Sequence, residues 1–233
     1  MIVGITRVRN EEEIISDTIE HFSQWCEKIY VYDDCSTDRT VEILKGFNNV
    51  VVIEGKEWDK DRFRAEYTTR QRVLEEAQKE NPEWILYFDA DERIDWDFKG
   101  LEEGDVVWMK LFDFYITEED KNLTYKDRKW LGQEYRRIAM LFRNSPELKY
   151  WKNDQRICSY PDNYREINAG YVKHYGKAIS IEEWEKTCDY YQNFPEPYKT
   201  KWLERKGKAI HTKSDFGTEL IKWEDKEKHQ IQI

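Results

Sequence analysis

Apolar positions in this chain follow two rhythms. Residues 2–6, 28–32, 49–54 and 84–88 are short runs that are apolar almost throughout, the last reading Trp84-Ile85-Leu86-Tyr87-Phe88. Runs of that length between polar stretches predict strands buried on both faces, as in a parallel sheet covered by helices. Between them the spacing turns helical. Ile14, Ile15, Thr18, Ile19 and Phe22 mark one face of a helix over about residues 11–25. Val41, Ile43 and Leu44 mark a second helix, with Ser36 and Thr37 placed to cap it. Val73, Leu74 and Ala77 face inward from a long charged helix over 62–80, closed by Asn81-Pro82. The order β-α-β-α-β-α-β predicts a parallel sheet with right-handed crossovers, a Rossmann-like α/β half.

The 84–88 run leads straight into acids, Asp89-Ala90-Asp91-Glu92. Open α/β sheets bind ligands beyond the carboxyl ends of their strands, so a charged site belongs here. If the backbone stays extended, Asp89 and Asp91 point the same way. Two close carboxylates repel unless they are solvated, share a proton or hold a divalent cation between them and a third anion. The second run also ends in acids, Asp33-Asp34, followed by Cys35-Ser36-Thr37-Asp38.

Beyond Glu92 the pattern changes. Residues 105–115 and 135–143 predict longer strands, and the polar stretch 116–131 between them predicts a surface excursion or flap. Residues 170–176 predict a last short strand and 181–192 a helix, before a charged, aromatic-studded tail from Pro195. The chain has 233 residues, ten Trp, fifteen Tyr and ten Phe, enough apolar surface for a real core despite 37% charged residues. Its net charge of −10 excludes general affinity for nucleic acid, which needs a basic footprint. Cys26, Cys35, Cys158 and Cys188 form no C-x-x-C pair, against zinc knuckles and redox motifs. Neither a signal-like leader nor a membrane-spanning run is visible, and a reducing, cytoplasmic setting is the expectation.

Taken together, Arg9-Asn10-Glu11, Asp33-Asp34-Cys35-Ser36-Thr37-Asp38, the helix carrying Arg70, Asp89-Ala90-Asp91-Glu92 and His174-Tyr175-Gly176 give a chain that resembles family 2 of the glycosyltransferases, which have the GT-A fold. The resemblance implies a GT-A domain over 1–178, with a nucleotide-sugar-binding half over 1–92 and a mixed-sheet acceptor half over 93–178. A helical extension over 179–233 would pack on it.

It also implies roles. Asp34 accepts a hydrogen bond from the nucleotide base, the loop from Thr6 to Arg9 forms the other wall of that pocket, and Arg70 approaches base and diphosphate. Asp89 reaches ribose or metal, Asp91 binds a Mg²⁺ or Mn²⁺ ion that bridges the phosphates, and His174 completes the metal shell. For an inverting transfer the acceptor hydroxyl needs a general base; Asp154 is the candidate, with Glu147 and Glu134 behind it. The implied activity is transfer of a monosaccharide from a nucleotide-diphosphate sugar to a hydroxyl of a glycan, lipid-linked or protein acceptor, with peripheral membrane contact open to it. The alternative is a non-catalytic nucleotide- or glycan-binding module of the same fold, since related enzymes often carry a His-Glu pair where this chain has 150–154. Two departures stand out: Cys35 and Arg39 take positions where the family usually has glycines, so the turn after the second strand is expected to be tighter or otherwise held.

Overall fold

The structure, a computed structural model, describes residues 1–58, 62–151, 156–194 and 196–233. Two compact units divide the chain, residues 1–109 with 138–170 and residues 110–137 with 171–233. Both are discontinuous in sequence, whereas the expected domains are continuous spans.

The first unit opens with β1 (Ile2–Val8), α1 (Ile15–Phe22), β2 (Lys28–Asp33), α2 (Thr40–Leu44), β3 (Val50–Glu54), α3 (Arg62–Gln78) and β4 (Trp84–Tyr87). Pairing is parallel between β3 and β2, β2 and β1, and β1 and β4. The α/β expectation is met. Beyond β4 the sheet continues through β7 (Trp130–Arg143), β6 (Val106–Tyr115), β8 (Glu166–His174) and β5 (Glu92–Asp95), of which β7 is antiparallel to β4. Within this unit those strands contribute 138–143, 106–109, 166–170 and all of β5.

Helices cover both faces of the parallel part. Val73, Leu74 and Ala77 of α3 pack in one buried cluster with Val3, Ile5, Ile85 and Tyr87. Burying Val73 and Leu74 there stabilises the fold by about 2 kcal/mol each. On the other face Phe22 of α1 stacks on Phe88, ring centroids 3.7 Å apart. Gly4 lies under that contact, and a Cβ there would come within 3.1 Å of both Cys26 Sγ and the Phe88 ring.

Three local expectations are corrected. The first helix begins at Ile15, and Glu11–Glu13 precede it in a turn whose Glu11 carbonyl accepts from Ile14 and Ile15 N–H. The backbone N–H groups of Glu11 and Glu12 donate instead to Thr40 Oγ1 at 2.8 Å and Asp38 Oδ2 at 3.1 Å. Ser36 and Thr37 do not cap α2: Ser36 Oγ accepts from Asn10 N–H, Thr37 N–H donates to Asn10 Oδ1, and Asp38 Oδ1 takes the Thr40 N–H. Parallel neighbours end side by side, so the loops after β1 and β2 satisfy each other before either helix starts. The fourth strand ends at Tyr87; Asp89 to Glu92 form a turn closed by Glu92 N–H donating to Asp89 O at 3.2 Å.

The second unit holds the remaining residues of β6, β7 and β8 together with α4 (Ile181–Tyr191), α5 (Tyr198–Arg205), β9 (Ile221–Lys222) and β10 (Ile231–Gln232), the last two pairing with β7. Trp184, Cys188, Trp202 and Ala209 form its helical core, and Tyr191 stacks on Trp202 at 4.7 Å. The stretch between β6 and β7 is tied down in places and is not simply a surface excursion. Asp120, fully buried, accepts from Thr117 N–H and Lys129 N–H, and Arg128 donates to the carbonyls of Asp120 and Ala178.

Candidate active site

The parallel strands run β3-β2-β1-β4, so the chain turns outward on both sides of β1 and leaves a crevice between the carboxyl ends of β1 and β4. That is the topological switch point, where ligands of open α/β sheets bind. Ile5 pairs with Tyr87, and Phe88 N–H donates to Ile5 O, which sets Thr6 and Arg7 beside the start of the acidic turn.

On the β1–β2 side, Asp34 is buried and accepts from Arg7 Nη2 at 2.5 Å. Arg9 Nη1 donates to the Asp34 and Cys35 carbonyls at 2.6 and 3.3 Å, and its guanidinium lies over the Trp58 ring at 4.3 Å. Cys35 has φ of +59°, the left-handed region where a side chain is strained and a glycine is not. The Arg9 clamp on both carbonyls shows how the turn is held without the glycine. Thr6 Oγ1, Arg7 Nε and Asp33 Oδ1 are buried without a hydrogen-bond partner among the described residues. Buried polar atoms are seldom left so, and three of them at the neighbouring ends of β1 and β2 leave polar capacity for a bound group with its own donors and acceptors.

On the β4 side a buried chain of contacts runs from α3 to the acidic turn. Arg70 donates from Nη1 to Glu66 Oε2 at 3.3 Å and from Nε to Tyr87 Oη at 2.9 Å; Tyr87 O–H donates to Asp89 Oδ1 at 2.6 Å. Arg156 closes the other end, 3.3 Å from Asp89 Oδ2 and bonded through both terminal nitrogens to Glu92. Burial works against the charge of both arginines, yet the neighbouring Tyr87, Asp89 and Glu66 hold Arg70 protonated, and Glu92 and Asp89 do the same for Arg156. Burial, more than the opposing Arg70 charge, pushes the Tyr87 phenol up, so it stays a donor to Asp89.

The turn itself is pinned from below. Asp89 N–H donates to Glu92 Oε2 at 3.0 Å, and Thr18 O–H of α1 donates to Ala90 O at 2.5 Å. Asp89 and Asp91 are therefore presented by a turn, and the extended-strand alternation inferred from the sequence is not what orients them. Arg93 turns its guanidinium to the Ala90 and Glu92 carbonyls.

Of the residues singled out in the sequence, Thr6, Arg9 and Asp34 lie at the β1–β2 side, and Arg70 joins Asp89 through Tyr87, all in the first unit. Asp154 lies outside the described residues. His174 belongs to the second unit, where its Nδ1 is 2.5 Å from Asp113 Oδ1. Tyr87, Glu92 and Arg156 are the main residues missed as site residues, and the sequence reads Arg7 only as part of the loop wall. Arg156 has no local signal, being 64 positions from the Glu92 it pairs with. Tyr87 sits in a run legible only as core.

The donor set suits a hard divalent cation. Arg156 is matched to Glu92 by two bonds, and Asp89 and Asp91 add two more carboxylates to the turn, Asp89 Oδ1 accepting from Tyr87 and Oδ2 lying 3.3 Å from Arg156. Oxygen donors of this kind are what Mg²⁺ and Mn²⁺ take.

Residues 5–100 match the family model of Glycosyl transferase family 2, a span that carries every one of these first-unit residues except Arg156. The N-terminal part of the chain is therefore similar to family 2 glycosyltransferases. No curated protein matches. Among solved structures, mannosyl-3-phosphoglycerate synthase from Rubrobacter xylanophilus is 16% identical over 54% of this chain and 45% of its own, with a TM-score of 0.34. Glucosyl-3-phosphoglycerate synthase from Mycobacterium tuberculosis, in complex with Mn²⁺, uridine diphosphate and glucosyl-3-phosphoglycerate, is 18% identical over 53% of this chain and 47% of its own, TM-score 0.33. The 4-diphosphocytidyl-2C-methyl-D-erythritol synthase from Anaerococcus prevotii is 10% identical over 98% and 94%, TM-score 0.35. The chain spans about half the length of the two phosphoglycerate synthases. Similarity at these scores says nothing of substrate. Among the described residues no helix is long and apolar enough to cross a membrane.

Proposed function

We propose that the chain is a cation-dependent, inverting glycosyltransferase that moves a monosaccharide from a nucleoside-diphosphate sugar to a hydroxyl of a glycan, lipid-linked or protein acceptor. The observation that carries this reading is the Asp89-Ala90-Asp91 turn at the carboxyl end of β4, beside the end of β1 and inside the segment that matches the family. In this reading the nucleoside lies on the β1–β2 side. Asp34, released from Arg7 or sharing it, accepts from the base, while Thr6 and Arg9 wall the pocket. Arg70 acts through Tyr87 to fix one oxygen of Asp89, and Arg156 fixes the other.

Asp89 and Asp91, the expected ligands that the first unit itself contains, are assigned the cation. A bound Mg²⁺ or Mn²⁺ supplies positive charge for the departing nucleoside diphosphate. The acceptor oxygen attacks the anomeric carbon as the bond to the diphosphate oxygen breaks, and its proton passes to a carboxylate, for which Asp154 is the assignment.

Titration calorimetry with UDP, GDP and CDP, in Mn²⁺ and in EDTA, tests the cation and the nucleotide together. The reading requires at least one of them to bind in Mn²⁺ and to lose most of its affinity in EDTA. Equal binding in both conditions removes the cation from the account, and no binding of any nucleoside diphosphate removes the donor.

A further inference from the structure

Three loops leave the carboxyl ends of β1, β2 and β3, and the third is laid directly against the second. Gly55 N–H donates to Asp33 O at 2.8 Å, and a Cβ at Gly55 would come within 2.9 Å of that carbonyl and 3.3 Å of Cys35 Sγ. A side chain there would force the two backbones apart. With the loops in contact, Trp58, three residues further on, meets the first loop: its half-buried ring lies under Arg9, 4.3 Å from the guanidinium carbon to the ring centroid.

Arg9 is held by more than the left-handed turn at Cys35 requires. Both of its bonds, to the Asp34 and Cys35 carbonyls, come from one nitrogen, Nη1. Nε, Nη2 and the guanidinium plane take no part in that clamp, and among the described residues Arg9 forms no ion pair. Fixing so long a side chain costs rotamer entropy. The result is a charged plane, half-buried and held still at the edge of the crevice. Such a plane is a surface on which nucleobases stack, because it offers delocalised positive charge to their π faces.

The atoms beside it point to a ligand independently. Thr6 Oγ1, Arg7 Nε and Asp33 Oδ1 are buried without a partner among the described residues, and Asp34, whose carbonyl Arg9 grips, is the carboxylate assigned to the base. Hydrogen bonds of that kind read the edge of a base and leave its faces uncovered. A flat cation backed by an indole covers one of them.

We propose that Trp58 is a positioning residue of the donor pocket: its ring backs one face of the Arg9 guanidinium, and the nucleobase stacks on the other. This rests on the nucleoside-diphosphate-sugar reading of the same site. Stacking is tolerant of base identity because every base has a π face, so Trp58 sets affinity for a base as such, while Asp34 reads its edge.

The test is calorimetric titration in Mn²⁺ with UDP, GDP, CDP and ribose 5-diphosphate, which lacks only the base. The full chain is compared with Trp58→Leu and Trp58→Tyr, urea midpoints showing that each is folded. For whichever nucleotide binds the parent, Trp58→Leu is expected to weaken binding about tenfold, within the range that loss of one stacking contact costs. Trp58→Tyr keeps most of the affinity, since a phenol ring still backs the guanidinium. Ribose 5-diphosphate should not distinguish the three chains. A purely structural role for Trp58 would weaken the nucleotide and the baseless diphosphate together, and that result overturns the proposal. So does a Trp58→Tyr chain no better than Trp58→Leu. Nucleotide affinity that Trp58→Leu leaves unchanged removes the proposal and leaves the donor reading standing. Failure of the parent to bind any of the three nucleotides removes the donor reading and the role of Trp58 with it.

Discussion

Replacing Arg156 by methionine isolates the buried ion pair under the acidic turn. Glu92 is fully buried, and the guanidinium bonds both of its oxygens as well as lying 3.3 Å from Asp89. Removing one partner of such a pair costs about 3–5 kcal/mol, because the remaining charge is left in a poor medium. An upper limit comes from the proton. Stranded Glu92 can take one up, and from an ordinary pKa near 4.3 to neutral pH that costs about 3.7 kcal/mol at about 1.36 kcal/mol per unit. The expected loss in Arg156→Met is therefore about 3–4 kcal/mol at neutral pH.

It should shrink by up to about 1.4 kcal/mol for each unit the pH falls towards the carboxylate range. Urea unfolding followed by tryptophan fluorescence, repeated from neutral to mildly acidic pH, reads both quantities. Adding Glu92→Gln to Arg156→Met should recover part of the loss, since the stranded charge is then absent. A loss below about 1 kcal/mol, the range of exposed pairs, would refute the reasoning, as would a double variant less stable than the sum of the two single ones.

Two further outcomes follow from named contacts. Thr18→Val keeps the shape of the side chain and removes the 2.5 Å bond to Ala90 O, so stability should fall by about 1–2 kcal/mol; urea unfolding checks it, and a neutral result would mean the turn is not pinned from α1. In the second unit burial alone would raise Asp113 and Asp215, but the charges of Lys177, His174 and Arg136 hold Asp113 well below the usual carboxylate range, and Lys177 and Arg205 hold Asp215 down. A folded pKa below the unfolded one stabilises above the unfolded value and is lost as pH falls through the folded one. Asp113→Asn should then be clearly less stable than the parent above about pH 4, with the gap closing in stronger acid. A gap that widens in acid has the wrong sign for this network.

The parallel half of the sheet was legible because each strand is a short apolar run and each helix repeats at 3.6 residues, so β1, β2, β3, β4 and α3 lie close to where the pattern sets them. The acids ending 84–92 marked the crevice for the same reason: a buried strand that stops on charges must stop at a surface. What the pattern cannot carry is pairing at a distance. Arg156 reads as one basic residue in a polar loop, and nothing near it announces Glu92. Ser36 and Thr37 have the side chains of caps, but Asn10 from the neighbouring loop competes for them. Residues 92–95 are too short and too charged to read as a strand; they are β5 because of what they pair with. Asp120 and Arg128, buried in a stretch that looks solvent-loving, were hidden by the same logic: each charge reads as exposed until backbone groups are found to satisfy it, the Thr117 and Lys129 N–H groups for Asp120 and the Asp120 and Ala178 carbonyls for Arg128.

The central claim, that Asp91 holds a cation on which sugar transfer depends, is tested most directly by donor turnover. Wild-type and Asp91→Asn chains would be incubated with a panel of nucleoside-diphosphate sugars in Mn²⁺, with released nucleoside diphosphate as the readout and matched urea midpoints showing that both are folded. The account predicts release by the wild type, suppressed by EDTA and lowered at least about a hundredfold in the variant, on the scale of losing a group that stabilises developing charge. Release by a folded Asp91→Asn chain at the wild-type rate contradicts it.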